Sequence, residues 1–358
     1  MGAIVTPHRT MKVAILFLTL LPLLCPAAEN EFFTMDNGLR DVKTITGKAA
    51  LLEELGYDGV TWRPGNTAEA VKEMSARGIK MHGWMMSLPV VKKEKAAPLP
   101  VGEIEALKGT SAIVWVQLTR GGGGDDDAAR ELHRLNAVAK PLGLRIAIYP
   151  HINNHVETLE QALRVADLVD DDNVGVSLTL CHQLKVKGMQ DLAPLLKRAL
   201  PKLFLVLVSG AEAGDTKSMG WDKLIQPLGQ GSYDVGQLLK MLRELDYKGP
   251  VGMIGYGLKQ PAKDHLKQSI DSWRKLTRAA AGADTSTETT SYYVDAPGGS
   301  DNHHGITAQS AWKSLKNVEN INLQPGDKIL LKAGGVFSGS LSPKGNGADG
   351  KPITNSRQ

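Results

Sequence analysis

The sequence predicts an α/β protein built on a closed barrel of eight parallel strands, each followed by a helix, with a short β-rich segment behind it. Three observations carry this expectation. Short apolar, β-branched runs alternate with segments of helical periodicity over about 250 residues, the span such a barrel needs. The runs are continuously apolar, as strands covered on both faces are. Two of them, "LRIAIYPH" (144–151) and "VGVSLTLCH" (174–182), end abruptly in ring-bearing or hydroxyl side chains. Barrels of this kind place their chemistry where the strands end.

The elements follow in order. "EFFTMDNG" supplies a first strand, 32–35, ending at Asp36 and Asn37. A helix stopped by Gly56 leads to the strand 59–62, and a second helix, 67–77, stops at Gly78 before the strand 79–84. A poorly patterned stretch rich in Pro and Lys precedes the strand 112–119. The run Gly121 to Gly124 then meets Asp125, Asp126 and Asp127, acidic residues suited to cap a helix reaching Leu142. Strands are expected at 144–149, 174–178, 203–208 and 251–254, with helices at 157–168, 191–200, 235–245 and 265–278. Residues 279–291, "AAAGADTSTETTS", have no apolar period and read as a linker.

Length and charge narrow the class further. The 358 residues suit one barrel plus an appendage, giving a barrel at 29–278 and a second unit at 292–358. Net charge is a formal +4 with scattered basic residues; the run Lys92-Lys93-Glu94-Lys95 lacks the stacking aromatics of a nucleic-acid groove, so no nucleic-acid partner is expected. Two cysteines, Cys25 and Cys181, exclude a disulfide framework. Arg9 and Lys12 precede "VAILFLTLLPLLC", which has the length of a signal-peptide core and is too short to span a bilayer comfortably. With Ala27 and Ala28 as cleavage site, residues 1–28 read as a signal peptide. The mature chain is expected to be exported, with no integral membrane span.

The order of motifs "LLEELGYDGV", "IYPH", "VGVSLTLCH", "LGQGSYD" and "LRELDYKGPVGM" resembles the sugar isomerase and epimerase superfamily with the xylose-isomerase-like TIM barrel, in its exported branch. The resemblance covers roughly residues 32–276 and implies a small carbohydrate as partner. It also implies a divalent ion held by Glu, Asp, His or Gln, and Glu at the ends of strands five to eight. Those places fall here near Tyr149, Thr179, Leu207 and Ile254. Hard divalent cations need carboxylates or several oxygens, so the family's ligand positions are not kept, and no metal ligand or cofactor is assigned.

The strand ends still carry polar and aromatic residues: Asp36, Trp62, Arg63, His82, Trp84, Gln117, Tyr149, His151, Thr179, His182 and Tyr256. His82 or His151 alone reads as a core histidine bonded to backbone. His151 and His182 on adjacent strand ends together read as a site, because two imidazoles can share acid and base roles or bind a transition metal. These two are the catalytic candidates; Asp36, Trp62, His82, Gln117, Tyr149, Thr179 and Tyr256 are the substrate-binding candidates. Trp62, Trp84 and Tyr256 would either stack on a sugar ring or pack the rim. Cys181 reads as an inert, buried thiol. Arg120 with the Gly121–Gly124 run could meet a phosphate, but the acidic residues that follow would repel it, which favours an uncharged sugar.

The tail "YYVDAPGGSDNHHG", "SAWKSL", "LQPGDKILLKAGGVFSG" and "GKPIT" resembles the opening of exported right-handed parallel β-helix proteins, a class that includes polysaccharide lyases. It predicts a loop at 301–305, a short helix at 311–315 and a strand at 328–332. His303 and His304 read as solvated. With only a cap and one coil, Ile329, Leu331, Val336 and Leu341 are expected to lack cover. Two functions compete: an enzyme that isomerises or epimerises a sugar by proton abstraction next to a carbonyl, with Gln117 and Tyr149 as donors, and a non-catalytic carbohydrate-binding barrel fused to a carbohydrate-active domain.

Overall fold

The computed structural model describes residues 30–93, 96–280, 289–299, 301, 305, 308, 311–321 and 323–357. The expected signal segment, His303, His304 and residues 281–288 of the expected linker lie outside these. Strands β1 (Phe32–Met35), β2 (Gly59–Trp62), β3 (Lys80–Val90), β4 (Ile113–Arg120), β5 (Arg145–Ile148), β6 (Val174–Thr179), β7 (Leu203–Val208) and β8 (Val251–Met253) pair in parallel and in sequence order, and β8 returns to β1. Around them lie α1 (Ile45–Leu55), α2 (Thr67–Ser75), α3 (Val101–Glu105), α4 (Asp125–Ala139), α5 (Leu159–Val169), α6 (Leu180–Lys187), α7 (Ala193–Ala199), α8 (Trp221–Leu224), α9 (Val235–Glu244) and α10 (Ala262–Ala280). This is the (β/α)8 TIM barrel.

Helix boundaries follow local chemistry. Thr44, Thr158 and Asp234 cap α1, α5 and α9 by accepting from the amides of Gly47, Gln161 and Gln237. Gly56 ends α1 in the left-handed region, with φ 75°, which a side chain would strain. Asp127 reaches back to the Gly124 amide at 3.0 Å, as its place in the acidic run suggested. The poorly patterned Pro and Lys stretch forms a strap on α4, held by Lys92 to Asp127 at 3.0 Å and by Arg134 to the Ala97 carbonyl at 3.0 Å.

β3 is longer than expected, running on through Pro89 to Val90. β2 pairs with it only as far as Trp84, so beyond that point β3 bonds to β4 alone and a residue without an N–H is tolerated. β6 stops at Thr179 and the chain turns at once into α6. His182 therefore stands on the first turn of a helix, although the sequence reads as one apolar run ending in polar residues.

Paired residues on neighbouring strands share a side, and this sorts the barrel wall into lumen and helix layer. Phe33, Gly83, Trp115, Ala147, Ser177, Leu205 and Gly252 belong to the lumen set. Trp115 on β4 reaches over β5 to donate its indole N–H to Ser177 Oγ on β6 at 2.7 Å, and Ser177 donates in turn to the Ile148 carbonyl at 3.0 Å. That buried chain ties three strands together just beneath their C-terminal ends.

Behind the barrel, β9 (Ser291–Val294), β10 (Lys328–Leu331) and β11 (Thr354–Arg357) form a parallel three-stranded sheet with β10 in the middle. The short helix expected at 311–315 is instead α11 (Lys316–Asn320). Tyr292, Val294, Trp312, Leu315, Val318, Leu323 and Ile329 make a separate small core. Ile329 is thus covered, Leu331 and Leu341 are partly so, and only Val336, 87% exposed, is left bare as expected. Lys275 of α10 lies over the Tyr292 ring, 5.6 Å from its centroid. Among the described residues no helix is long and apolar enough to cross a membrane.

Candidate active site

At the C-terminal mouth of the barrel, β5 and β6 bring four polar side chains together. Tyr149 continues β5, donating its amide to the Val116 carbonyl at 2.7 Å, and its ring stacks on Trp115 with centroids 4.2 Å apart. His151 begins a tight turn, with its amide on the Val156 carbonyl and its own carbonyl accepting from Asn154. Its Nδ1 lies 2.8 Å from the Ile152 carbonyl. A carbonyl only accepts, so Nδ1 carries the proton and Nε2 is left with its lone pair.

His182 comes from the first turn of α6 and meets His151 with ring centroids 4.1 Å apart and planes at 49°. Tyr149 lies 6.0 Å from it, and Trp221 of α8 covers it edge-on at 5.4 Å. The ring is 4% exposed, and neither nitrogen has a partner among the described residues. Thr179 Oγ1, below it on β6, is buried and unpartnered as well. Buried polar atoms are ordinarily hydrogen-bonded, so three such atoms within four residues of the chain mark a place where a polar molecule belongs.

Burial sets the protonation of this cluster. It pushes His182 down to about 3, with the neighbouring His151 adding to the effect. His151 is lowered by burial too, though the Ile152 carbonyl works against the shift. Burial raises the Tyr149 phenol well above its ordinary value, and the Cys181 thiol to about 12. At neutral pH the cluster is uncharged: two imidazoles, a phenol and a hydroxyl.

Gln117 stands above Trp115 on the lumen side of β4, half-buried. Its two contacts are long, 3.5 Å from Ser87 Oγ and 3.9 Å to Met85 Sδ, so the amide is weakly held. Asp36, just past β1, pairs with Arg63 past β2 at 3.1 Å. Burial raises the Asp36 carboxyl, and the Arg63 guanidinium works to lower it. The same Arg63 charge works weakly against the rise of the Tyr149 phenol. Tyr256, past β8, is 52% exposed, with the Arg40 guanidinium 4.8 Å from its ring centre.

Two expected site residues lie elsewhere. His82 is at the opposite end of the barrel: it packs 5.5 Å from the Phe33 ring, and its Nε2 is 3.3 Å from the Glu31 carboxylate, ahead of β1. Because β3 starts at Lys80 and runs to Val90, His82 stands near its beginning, where the register with β2 slips. Trp62 faces the helix layer, with Lys48 of α1 4.9 Å from its ring centre and its indole N–H on the Gly65 carbonyl at 3.3 Å. Its register partner Trp84 also points outward, donating to Thr67 Oγ1 of α2 at 2.9 Å. Conversely, sequence reasoning missed Trp115, Ser177 and Trp221. Trp115 and Ser177 were within reach, since each lies two residues before a candidate on the same strand and so shares its face.

Tyr149, Thr179, Leu207 and Ile254, the positions matched to the superfamily's metal ligands, do lie at the C-terminal ends of their strands, with Thr179 and Leu207 in register. Their chemistry does not fit a hard divalent ion. Leu207 and Ile254 present buried hydrocarbon, the Tyr149 phenol is held neutral, and no carboxylate stands among them. Among the described residues no three His, Cys, Asp or Glu side chains converge anywhere.

The sequence profile of the family described as xylose isomerase-like TIM barrel matches residues 104–276. Among solved structures, the IOLI protein with a bound zinc atom is 18% identical, with 70% of this chain and 99% of that chain covered and a TM-score of 0.55. The 3-keto-D-glucoside 4-epimerase YcjR from E. coli is 18% identical, with 69% and 99% covered and a TM-score of 0.55. L-ribulose 3-epimerase is 13% identical, with 70% and 96% covered and a TM-score of 0.57. A lacto-N-biosidase of Bifidobacterium longum subsp. longum is 32% identical over an alignment of 96 residues, with 21% of this chain and 6% of that protein covered. The chain thus spans only a small part of this curated relative. Identities below a fifth speak for fold alone, and the neighbours that share the fold include sugar epimerases. The profile over 104–276 and the closed barrel around it point the same way: that part of the barrel is similar to the xylose isomerase-like TIM barrel family.

Proposed function

We propose that this chain is an exported protein whose barrel mouth holds a small, uncharged sugar or sugar derivative and moves a proton on a carbon next to its carbonyl. The observation that carries the reading is His182, buried with both ring nitrogens unpartnered, 4.1 Å centroid to centroid from His151. Around that pair, Tyr149 and Thr179 offer neutral hydroxyls and Gln117 a weakly held amide, groups that match sugar hydroxyls. The sugar epimerases among the structural neighbours support the substrate class. Export rests on the sequence of residues 1–28. The tail reading as the start of a parallel β-helix is supported by β9, β10 and β11, which stack in chain order, parallel and in register.

A non-catalytic carbohydrate-binding barrel is the second reading, favoured by the hydrocarbon at Leu207 and Ile254. One experiment separates the two. The purified protein is incubated in D2O with unphosphorylated aldoses and ketoses, and deuterium entering the carbon next to the carbonyl is followed by NMR. Wash-in that His151→Gln and His182→Gln reduce by about 10²-fold supports proton transfer, that being the usual contribution of a positioned acid or base. Sugar binding by calorimetry without wash-in assigns the barrel to binding alone.

A further inference from the structure

We infer that the two imidazoles of the mouth divide the work: His151 takes the proton through Nε2, and the neutral ring of His182 donates an N–H to the substrate's carbonyl oxygen, the task that a metal ion would otherwise perform. This rests on the proton-transfer reading and adds the role of each ring and independence from metal.

The division follows from what each ring touches. The Ile152 carbonyl, 2.8 Å from His151 Nδ1, fixes the tautomer and leaves Nε2 as the proton acceptor. The half-buried position of His151 leaves that nitrogen within reach of a ligand in the mouth. His182 has no such anchor. A neutral imidazole carries one N–H, and here that donor is buried with no acceptor among the described residues. The rings packed against it are His151, Tyr149 and Trp221, and among the described residues no carboxylate pairs with it to hold an imidazolium. The low protonation point of His182, about 3, agrees with a ring that stays neutral. A carbonyl oxygen entering the mouth would satisfy the N–H, and neutral imidazole is an established electrophile for enolising carbonyls.

The step balances without a further reagent. The C–H bond beside the carbonyl breaks and its proton passes to His151 Nε2. The C–H electron pair becomes the new carbon–carbon π bond, and the carbonyl π pair moves to oxygen, where the His182 N–H holds the developing charge. His151 returns its proton to the former carbonyl carbon while the neighbouring hydroxyl proton passes to the enediolate oxygen, and the isomer is complete.

Two measurements on the full chain test this. Long-range 1H–15N NMR on 15N-labelled protein at pH 7 should show His151 as the Nδ1–H tautomer and His182 neutral. A cationic His182, or His151 as the Nε2–H tautomer, overturns the inference whether or not any sugar reacts. Wash-in with D-xylose, D-fructose and D-allulose should be unchanged by EDTA. Loss on chelation with recovery on added manganese overturns the inference and leaves the proton-transfer reading standing. Among variants, His182→Gln, which keeps a donor, should retain at least tenfold more wash-in than His182→Phe, with both folded by circular dichroism. Equal activity in the two would remove the donor role.

Discussion

The barrel buries one histidine at each end, and their surroundings differ in the way that matters. His82 and His182 are each 4% exposed, and burial depresses both, to about 4 and about 3. At the lower end, His82 is wedged between the Phe33 ring and the backbone at Gly59, with the Glu31 carboxylate 3.3 Å away. At the upper end, His182 meets a second imidazole and leaves both nitrogens open. Burial and a depressed pKa are common to both, so neither marks a site. His82 Nε2 also lacks a hydrogen bond, so what separates them is the end of the barrel and the carboxylate that stands by His82 but not by His182, the lower face of this fold being the one that reads as stability.

The sharpest way to break the contrast is to make the same change twice. His182→Gln should lower sugar turnover or binding by about 10²-fold. His82→Gln should leave it within twofold. Equal losses in a wash-in or calorimetric comparison would mean that the two ends are not functionally distinct.

The next largest effect is on the floor of the upper site. Trp115→Ala should destabilise the barrel by about 3–5 kcal/mol, the usual cost of truncating a large buried aromatic. Ser177→Ala, which orphans the Trp115 N–H, should cost about 1–3 kcal/mol. Urea melts check both. A Trp115→Ala loss below 1 kcal/mol would show that Tyr149 does not depend on that platform.

Acid titration sharpens the comparison from the lower end. His82 is neutral in the fold and, once released, takes a proton near its ordinary value of 6.5, so the unfolded chain binds more protons. Stability from this group is therefore complete above about pH 6.5 and is lost as pH falls toward 4, by roughly 3 kcal/mol at 1.36 kcal/mol per unit. His82→Gln should flatten that part of the profile while leaving the contribution of His182, which extends to about pH 3. An unchanged profile would place the acid sensitivity elsewhere. At the exposed rim, Tyr256→Ala should shift stability by no more than about 0.5 kcal/mol, as surface changes do.

The barrel was legible because strands covered on both faces leave continuous apolar runs, and the spacing between those runs is set by the helices that cover them. The pair His151 and His182 was legible because both close such runs. Two features were not. Apolar runs do not announce where a strand becomes a helix, which hid the turn at Thr179 and the true seat of His182. Nor do they announce which way a side chain points. Trp62 and His82 were assigned by proximity to a strand end, whereas one faces α1 and the other stands near the start of a strand nearly twice as long as expected. The metal positions were the reverse case, since the family resemblance laid over the strand order located Leu207 and Ile254 at the ends of β7 and β8.

The seam between β1 and β8 has a consequence for how the molecule comes to exist. Phe33 is paired with Gly252 across nearly the whole barrel sequence, and a Cβ at 252 would lie 2.2 Å from the Phe33 ring. Such a contact returns nothing to the chain until a very long loop has closed, and topologies of that kind fold slowly. The seven other strand pairings join neighbours in sequence and can accumulate first. The ring of Phe33 seating against Gly252 is then the latch of the barrel, the event that turns a curled open sheet into a closed one.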